Sequence, residues 1–313
     1  MSSTFTFDLG HFATQMGWAV AGACDPSIPE SSQKFFEQWV REYKPAGQMS
    51  YLEKRQKERL TPTAYFPDAK SILCFGLFYF PGWASGEVKV SNYAWGEDYH
   101  LQLKAKLEET AAALKNTLGD FKYRLCVDTA PVLEKTLAVQ AGLGWQGKNT
   151  LLLSPQFGSY LFLGEIVTDL PLTTFSAKMP VSDHCGKCTR CIDACPTSAL
   201  TPYVLKADLC ISYLTLEHRG EFDSNTPAFS DWIAGCDICQ EVCPWNQKLV
   251  PIQNSALDPS FQKLTKSDIE SPTWPERIQE KALSYVRPEN WQRNLNWIES
   301  QRAESKEVVS ASQ

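Results

Sequence analysis

The sequence predicts an α/β domain, then a small cysteine-rich domain, then a short helical tail. Three observations predict this. Apolar strand-like runs alternate with amphipathic helical segments up to about residue 175. Seven of the eleven cysteines fall in two short runs, at residues 185–195 and 236–243. Beyond residue 250 the chain carries scattered Trp, Pro and charge instead of long apolar runs. The expected boundaries are 1–175, 176–250 and 251–313.

In the first segment, residues 5–16 read as a short helix, followed by a strand near Trp18–Cys24. Ser31–Tyr43 reads as a helix with Ser31 as its candidate cap. Ser71–Phe80 is a dense apolar run between Pro67 and Pro81, which predicts a buried strand. Gln102–Leu118 is amphipathic and rich in Ala and Leu, hence helical. Tyr123–Val127 predicts a short strand that runs into Asp128-Thr-Ala-Pro131. A helix over Val132–Leu143 would then start with Pro131 in its first position and Asp128 or Thr129 as cap. Tyr160–Thr168 predicts a further strand. The tail reads as a few short helices with a polar, disordered end over Ala303–Gln313.

The cysteines carry the strongest chemical signal. The first run is Cys185-x2-Cys188-x2-Cys191-x3-Cys195-Pro196, the ligand spacing of a bacterial two-cluster ferredoxin. Three closely spaced thiolates wrap one [4Fe–4S] cube, and the fourth, set off before a Pro, ligates the other. The second run, Cys236-x2-Cys239-x3-Cys243-Pro244, lacks its first cysteine, and Cys210 fills that place. The assignment closes with Cys185, Cys188, Cys191 and Cys243 on one cluster and Cys195, Cys210, Cys236 and Cys239 on the other. Structural zinc prefers two knuckle pairs separated by a longer loop. Disulfides suit small secreted domains. His184 finds no vacancy in this set. Cys24, Cys74 and Cys126 lie outside the runs and read as core residues.

Global properties exclude several classes. The formal charge of −6 advertises no basic nucleic-acid footprint. The N-terminus shows no basic, apolar leader pattern, and no stretch approaches the ~18 apolar residues of a membrane span. A reducing cytoplasm is expected, where clustered cysteines ligate metal. There is no G-x-G-x-x-G after a strand and no G-x4-G-K-[ST], which disfavours a nucleotide phosphate site. Glycines are dense in Gly142-Leu-Gly-Trp-Gln-Gly-Lys-Asn149 and in Gly158-Ser-Tyr-Leu-Phe-Leu-Gly-Glu165. They suit either close approach to a large flat ligand or ordinary loop punctuation.

Asp128-Thr-Ala-Pro, Gly142-Leu-Gly-Trp with Gly147-Lys-Asn, Gly158-Ser-Tyr, and Gly96-x-Asp-Tyr-His100 occur in that combination beside the first cysteine run with its Pro-Thr-Ser-Ala-Leu. Cys210-Ile-Ser-Tyr-Leu-Thr and Gly235-Cys-Asp-x-Cys-Gln-x-Val-Cys-Pro complete the set. In order and spacing, over roughly residues 5–300, this pattern resembles the epoxyqueuosine reductase family. The resemblance implies two [4Fe–4S] clusters, a cobalamin, and reduction of the epoxide of epoxyqueuosine to queuosine at the wobble position of tRNA. It places Asp128 as proton donor. An ordinary Asp is ionised at neutral pH, so that role calls for apolar surroundings. The plain alternative is a helix cap.

The resemblance also places Arg59, Ser91, Leu152, Leu163, Ser212 and Asp237 against the corrinoid. The plain alternatives are a surface cation for Arg59, core for Leu152 and Leu163, and a helix cap for Ser212. Lys148 has an amide, a phosphate or solvent to choose from. Tyr99 and His100 cap or pack, and His218 and Arg219 meet a tRNA phosphate or solvent. Residues 251–313 hold eight Lys/Arg and nine Asp/Glu. That balance predicts a weaker, salt-sensitive grip on tRNA than in longer family members. The expected partners are tRNA and a reductase, flavodoxin or ferredoxin that donates electrons, with the protein itself a monomer. A reductive dehalogenase-like enzyme, a pure electron carrier and a zinc protein are the competing readings.

Overall fold

The computed structural model describes residues 6–44, 48–253 and 258–311. The chain divides into two compact units. One comprises Met1–Glu42, Ser50–Tyr79 and Tyr99–Cys188, and the other Tyr43–Met49, Phe80–Asp98 and Thr189–Gln313. The division is not linear in sequence, because the segment between the second strand and the long helix contributes to the second unit.

The first unit is built on a four-stranded sheet. Its strands are β1 (Val20–Cys24), β2 (Ser71–Phe78), β3 (Tyr123–Cys126) and β4 (Leu161–Thr168), in the spatial order β1-β2-β4-β3. Every pairing is antiparallel, with Cys74 and Cys126 both opposite Glu165. Residues Ser71 to Gly76 of β2 are all buried, as a continuous apolar strand requires when both faces are covered. Alternation then sends Leu73 and Phe75 to one face and Ile72 and Cys74 to the other. The first face packs with Leu103, Leu107 and Ala111 of the long helix, and with Leu9 and Ala13 of the N-terminal one. The second face packs with Leu137, Ala138, Cys126 and Val132. The helices are α1 (Leu9–Gln15), α2 (Glu30–Glu42), α3 (Tyr99–Leu118) and α4 (Glu134–Gln140).

Three local expectations are corrected. Ser31 lies inside α2, which begins at Glu30, so it is no cap. The helix after β3 starts at Glu134, with Leu133 in the cap position and no side-chain cap bond. Neither Asp128 nor Pro131 starts it, because Asp128 takes a left-handed conformation (φ 48°) that turns the chain first. The C-terminal stretch expected to be disordered is helical instead, to Ala311. Phe5, Ser312 and Gln313 lie outside the described residues.

In the second unit, strand Trp232–Ala234 pairs in parallel with Lys89–Val90. Helix α5 (Ile211–Leu216) and the 24-residue helix α6 (Pro288–Ala311) hold it. Asn294, fully buried on α6, donates to the carbonyls of Thr215 (3.0 Å) and Ile233 (2.9 Å). Arg293 reaches the carbonyls of His218, Gly220 and Leu214 at 2.8–3.2 Å. The tail thus secures the segment that carries Cys210. Among the described residues, no helix is long and apolar enough to cross a membrane.

Candidate functional site

Asp128 follows the last residues of β3 on a tight loop. Its backbone N–H donates to the Glu134 carboxylate at 2.7 Å. That bond ties the loop to the first residue of α4 and satisfies a donor the left-handed turn would otherwise leave open. On the other side, His100 Nε2 lies 3.2 Å from Asp128 Oδ2. His100 is fixed at the start of α3 by stacking on Tyr99 (4.0 Å), which itself stacks on Phe162 of β4 (4.3 Å, interplanar 2°). The Asp128 side chain is 54% exposed, so the protein leaves its carboxyl open on one side.

Glu134 is the unusual partner. Burial first, and the nearby Asp128 charge second, push its carboxyl up to about 7. It is thus divided between neutral and ionised forms at neutral pH. Arg59 belongs to the same electrostatic neighbourhood as Asp128 and Glu134, and burial lowers its own value. The guanidinium is buried, and its Nε has no hydrogen-bond partner among the described residues. A buried cation with an unused donor is expensive unless something else supplies an acceptor. Leu152 is buried within the apolar cluster behind α4, and Leu163 packs against it while partly exposed. Glu165 is fully buried, and neither carboxyl oxygen has a hydrogen-bond partner among the described residues. Burial, then the charge of Glu134, raise it well above the usual carboxylate range. It sits beside Cys74 and Cys126, which are buried core residues as expected.

The second unit places the other candidates. Asp237 is buried and receives three donors: Ser91 Oγ (2.7 Å), the Asn92 backbone N–H (2.7 Å) and Gln240 Nε2 (2.8 Å). Burial raises its carboxyl, and these donors pull it back. Gly235, two residues earlier, has φ 71°, and a Cβ there would fall 2.5 Å from the Ser91 Cβ. Only glycine lets the Cys236–Asp237 segment approach Ser91 so closely. The Gly235 N–H donates to Thr215 Oγ1 (3.0 Å), which ties it to α5. Ser212 is the second residue of α5 and does not cap it, since Cys210 holds the cap position.

The cysteines of this unit show what they suit. Cys239 lies within electrostatic range of Cys210, Cys191 and Cys195, and Cys236 within range of Cys239 and Cys210. The Cys210 sulfur accepts from the backbone N–H groups of Tyr213 and Ser212, and that of Cys236 from Ile238. N–H···S bonds of this kind stabilise cluster sulfur. Burial pushes the thiols of Cys236 and Cys239 well above the ordinary range, so bound iron is what would keep them as thiolates. In the first unit, Cys185 and Cys188 bracket a turn closed by the Cys188 N–H on the Cys185 carbonyl (2.9 Å). Among the described residues, no three His, Cys, Asp or Glu side chains gather as for a single metal ion. Ligands of a cube bind separate irons and stand farther apart. The donor set fits the cluster reading, and the orphaned Arg59 Nε fits a further polar ligand in the first unit.

Sequence reasoning gave His100 only a capping or packing role and gave Glu134 none. His100 carried a motif signal without a partner. Glu134 carried none, because its link to Asp128 runs through a backbone N–H that no residue pattern encodes.

The family model described as "Epoxyqueuosine reductase QueG, DUF1730" matches residues 59–129. That described as "4Fe-4S double cluster binding domain" matches residues 184–246. An epoxyqueuosine reductase of Cellulophaga algicola is 37% identical over 295 residues, covering 91% of this chain and 95% of that protein. One from Synechocystis is 42% identical over 241 residues, covering 73% and 82%. The crystal structure of epoxyqueuosine reductase with a tRNA-Tyr epoxyqueuosine-modified stem loop superposes with a TM-score of 0.79 at 27% identity, over 92% of this chain and 79% of that one. The Bacillus subtilis enzyme, with its catalytic aspartate loop swung out of the active site, gives 0.76 at 27% identity over the same shares.

Proposed function

The chain belongs to the epoxyqueuosine reductase family of oxidoreductases with a double [4Fe–4S] domain, and from that premise we propose that it reduces epoxyqueuosine to queuosine in tRNA with Asp128 as proton donor. The observation that carries the reading is the constellation around Asp128. An open carboxyl sits on a left-handed loop, braced by Glu134 through the backbone and paired with His100 through the side chain.

Deoxygenation of an epoxide to an alkene takes two electrons and two protons and releases the oxygen as water. The chemistry supplied by bound cobalamin is two-electron reduction at the substrate carbon, with electrons arriving singly through the clusters. What falls to this chain's residues is proton delivery and positioning. The departing oxygen needs an acid within hydrogen-bond reach. Asp128 Oδ2 holds that proton in this reading, and His100 Nε2, 3.2 Å away, replenishes it. Glu134, pushed up to about 7, holds the loop in its working conformation by accepting the Asp128 N–H. The swung-out loop of the Bacillus subtilis relative supports the idea that such a loop needs holding.

Arg59, Ser91, Leu152, Leu163, Ser212 and Asp237 are the proposed cobalamin contacts, with the unused Arg59 Nε as the strongest support. Cys185, Cys188, Cys191 and Cys243 are the proposed ligands of one cluster. Cys195, Cys210, Cys236 and Cys239 are those of the other, supported by their mutual proximity. The proposed substrate is tRNA carrying epoxyqueuosine, as in the relative bound to a modified stem loop. The proposed setting is the cytoplasm, with a flavodoxin, ferredoxin or reductase as donor. The test is nucleoside mass spectrometry on epoxyqueuosine-containing tRNA, incubated anaerobically with reconstituted protein, cobalamin and a strong reductant. Cobalamin-dependent loss of one oxygen mass is expected. Full conversion without cobalamin would overturn the reading.

A further inference from the structure

Lys148 sits in a sequence motif to which no role has yet been given. Its Nζ donates to two backbone carbonyls, those of Gly186 (2.6 Å) and Cys188 (3.0 Å). Both belong to the loop that carries Cys185 and Cys188. The contact is built from both sides. On the lysine side, Trp145–Gln146 pairs with Leu152–Leu153 as a short hairpin. Its turn is closed by the Thr150 N–H on the Gly147 carbonyl (2.9 Å) and the Gly147 N–H on the Leu151 carbonyl (2.8 Å). A Cβ on Gly147 would lie 2.6 Å from Leu153 Cδ1 and 2.7 Å from Asn149 Oδ1, so the turn has no slack. On the cysteine side, the Trp145 ring meets His184 edge-on at 5.0 Å, and the Cys185 N–H donates to Asp183 Oδ1 (2.7 Å).

We infer that Lys148 is a positioning residue that fixes the Cys185–Cys188 loop and raises the reduction potential of the cluster this loop ligates. The inference rests on the cluster assignment proposed above. Reduction adds one negative charge to the cluster, and a cation held at its ligand loop stabilises that form more than the oxidised one. The ammonium also draws two carbonyl dipoles towards itself. A lysine that only filled space would need neither two carbonyl acceptors nor a turn without slack.

The experiment is an EPR-monitored redox titration of the full-length, reconstituted protein, with iron and sulfide quantified in parallel. The variants are K148M, K148Q and K148R. Lys148→Gln keeps a donor without the charge, and Lys148→Arg keeps the charge. With loading intact, one of two midpoints should move to lower potential in both neutral variants, by about tenfold in the reduction equilibrium, or about 59 mV for one electron. The other midpoint should stay in place, and K148R should hold near wild type. Unchanged midpoints in fully loaded K148Q would overturn the tuning role. So would loss of half the iron from both neutral variants with retention in K148R, which would make Lys148 a structural clamp alone. A wild-type protein that takes up only one cluster would instead count against the ligand assignment.

Discussion

Two aspartates, one in each unit, face opposite circumstances. Asp237 is buried, and its carboxylate accepts from three donors. Asp128 is more than half exposed, adopts a backbone conformation that costs energy outside glycine, and meets a titratable histidine and a titratable glutamate. A buried carboxylate held by three donors is closed off from solvent and serves to fix the segment between Cys236 and Cys239. An open carboxyl beside Glu134, which is pushed up to about 7, has a neighbour that exchanges protons at neutral pH. In the proposed reading the same residue type is scaffold in one unit and reagent in the other, and its neighbours decide which.

The sharpest way to break this contrast is to remove Asp128. Asp128→Ala and Asp128→Asn should each lower the rate of queuosine formation by about 10²–10⁴-fold, the usual contribution of a positioned acid. Thermal unfolding should barely change in the asparagine variant, because the side chain is exposed and leaves no buried donor behind, and should fall slightly in the alanine variant, which tolerates the left-handed backbone less well. Full turnover in both variants would end the acid role. Asp237 should behave in reverse. Asp237→Ala strands the Ser91 hydroxyl, the Asn92 N–H and the Gln240 amide in a buried site. The expected cost is about 2–4 kcal/mol of stability, read as a lower melting temperature and weaker cluster retention. If Asp237→Ala melted like wild type while turnover vanished, the two aspartates would have exchanged roles.

The elements that were legible in the sequence are those whose signal is local. The buried run in β2, the amphipathic α3 and the two cysteine runs each announce themselves within a few residues, through apolar content, period or spacing, whereas Cys210 was reached only by completing the count. The start of α4 did not. Pro131 preceded by Asp and Thr is a fair helix-start pattern, yet the left-handed turn at Asp128 displaces the start to Glu134. The family pattern pointed to Asp128 and Asp237 but not to their opposite states. Those states depend on partners at positions 91, 92, 100 and 240, brought close by the fold. Asn294 was read only as part of the tail. Its burial against Thr215 and Ile233 follows from how α6 packs within its unit.

Glu134 offers the finest test, because substitution separates its two actions. Glu134→Gln keeps an oxygen to accept the Asp128 N–H but can never ionise. Glu134→Ala removes both. The alanine variant should therefore lose several-fold more turnover than the glutamine one, since it leaves the loop donor unpaired. The glutamine variant should match wild type within about threefold near pH 6, where Glu134 is mostly protonated, and fall behind above pH 7. There the ionised wild-type carboxylate is a stronger acceptor for the Asp128 N–H than a neutral amide and holds the loop more firmly. Stability gives an independent check of sign. Glu134 is raised in the folded protein from the ordinary 4.5 to about 7, so it binds more protons folded than unfolded between those values. Its contribution therefore falls as pH rises from about 4.5 to about 7 and levels off above. Glu134→Gln should lose less stability than wild type between pH 5 and pH 8. Parallel melting curves for the two proteins across that range would mean that Glu134 is ionised throughout, and that its hold on Asp128 is a fixed bond and not a proton-dependent one.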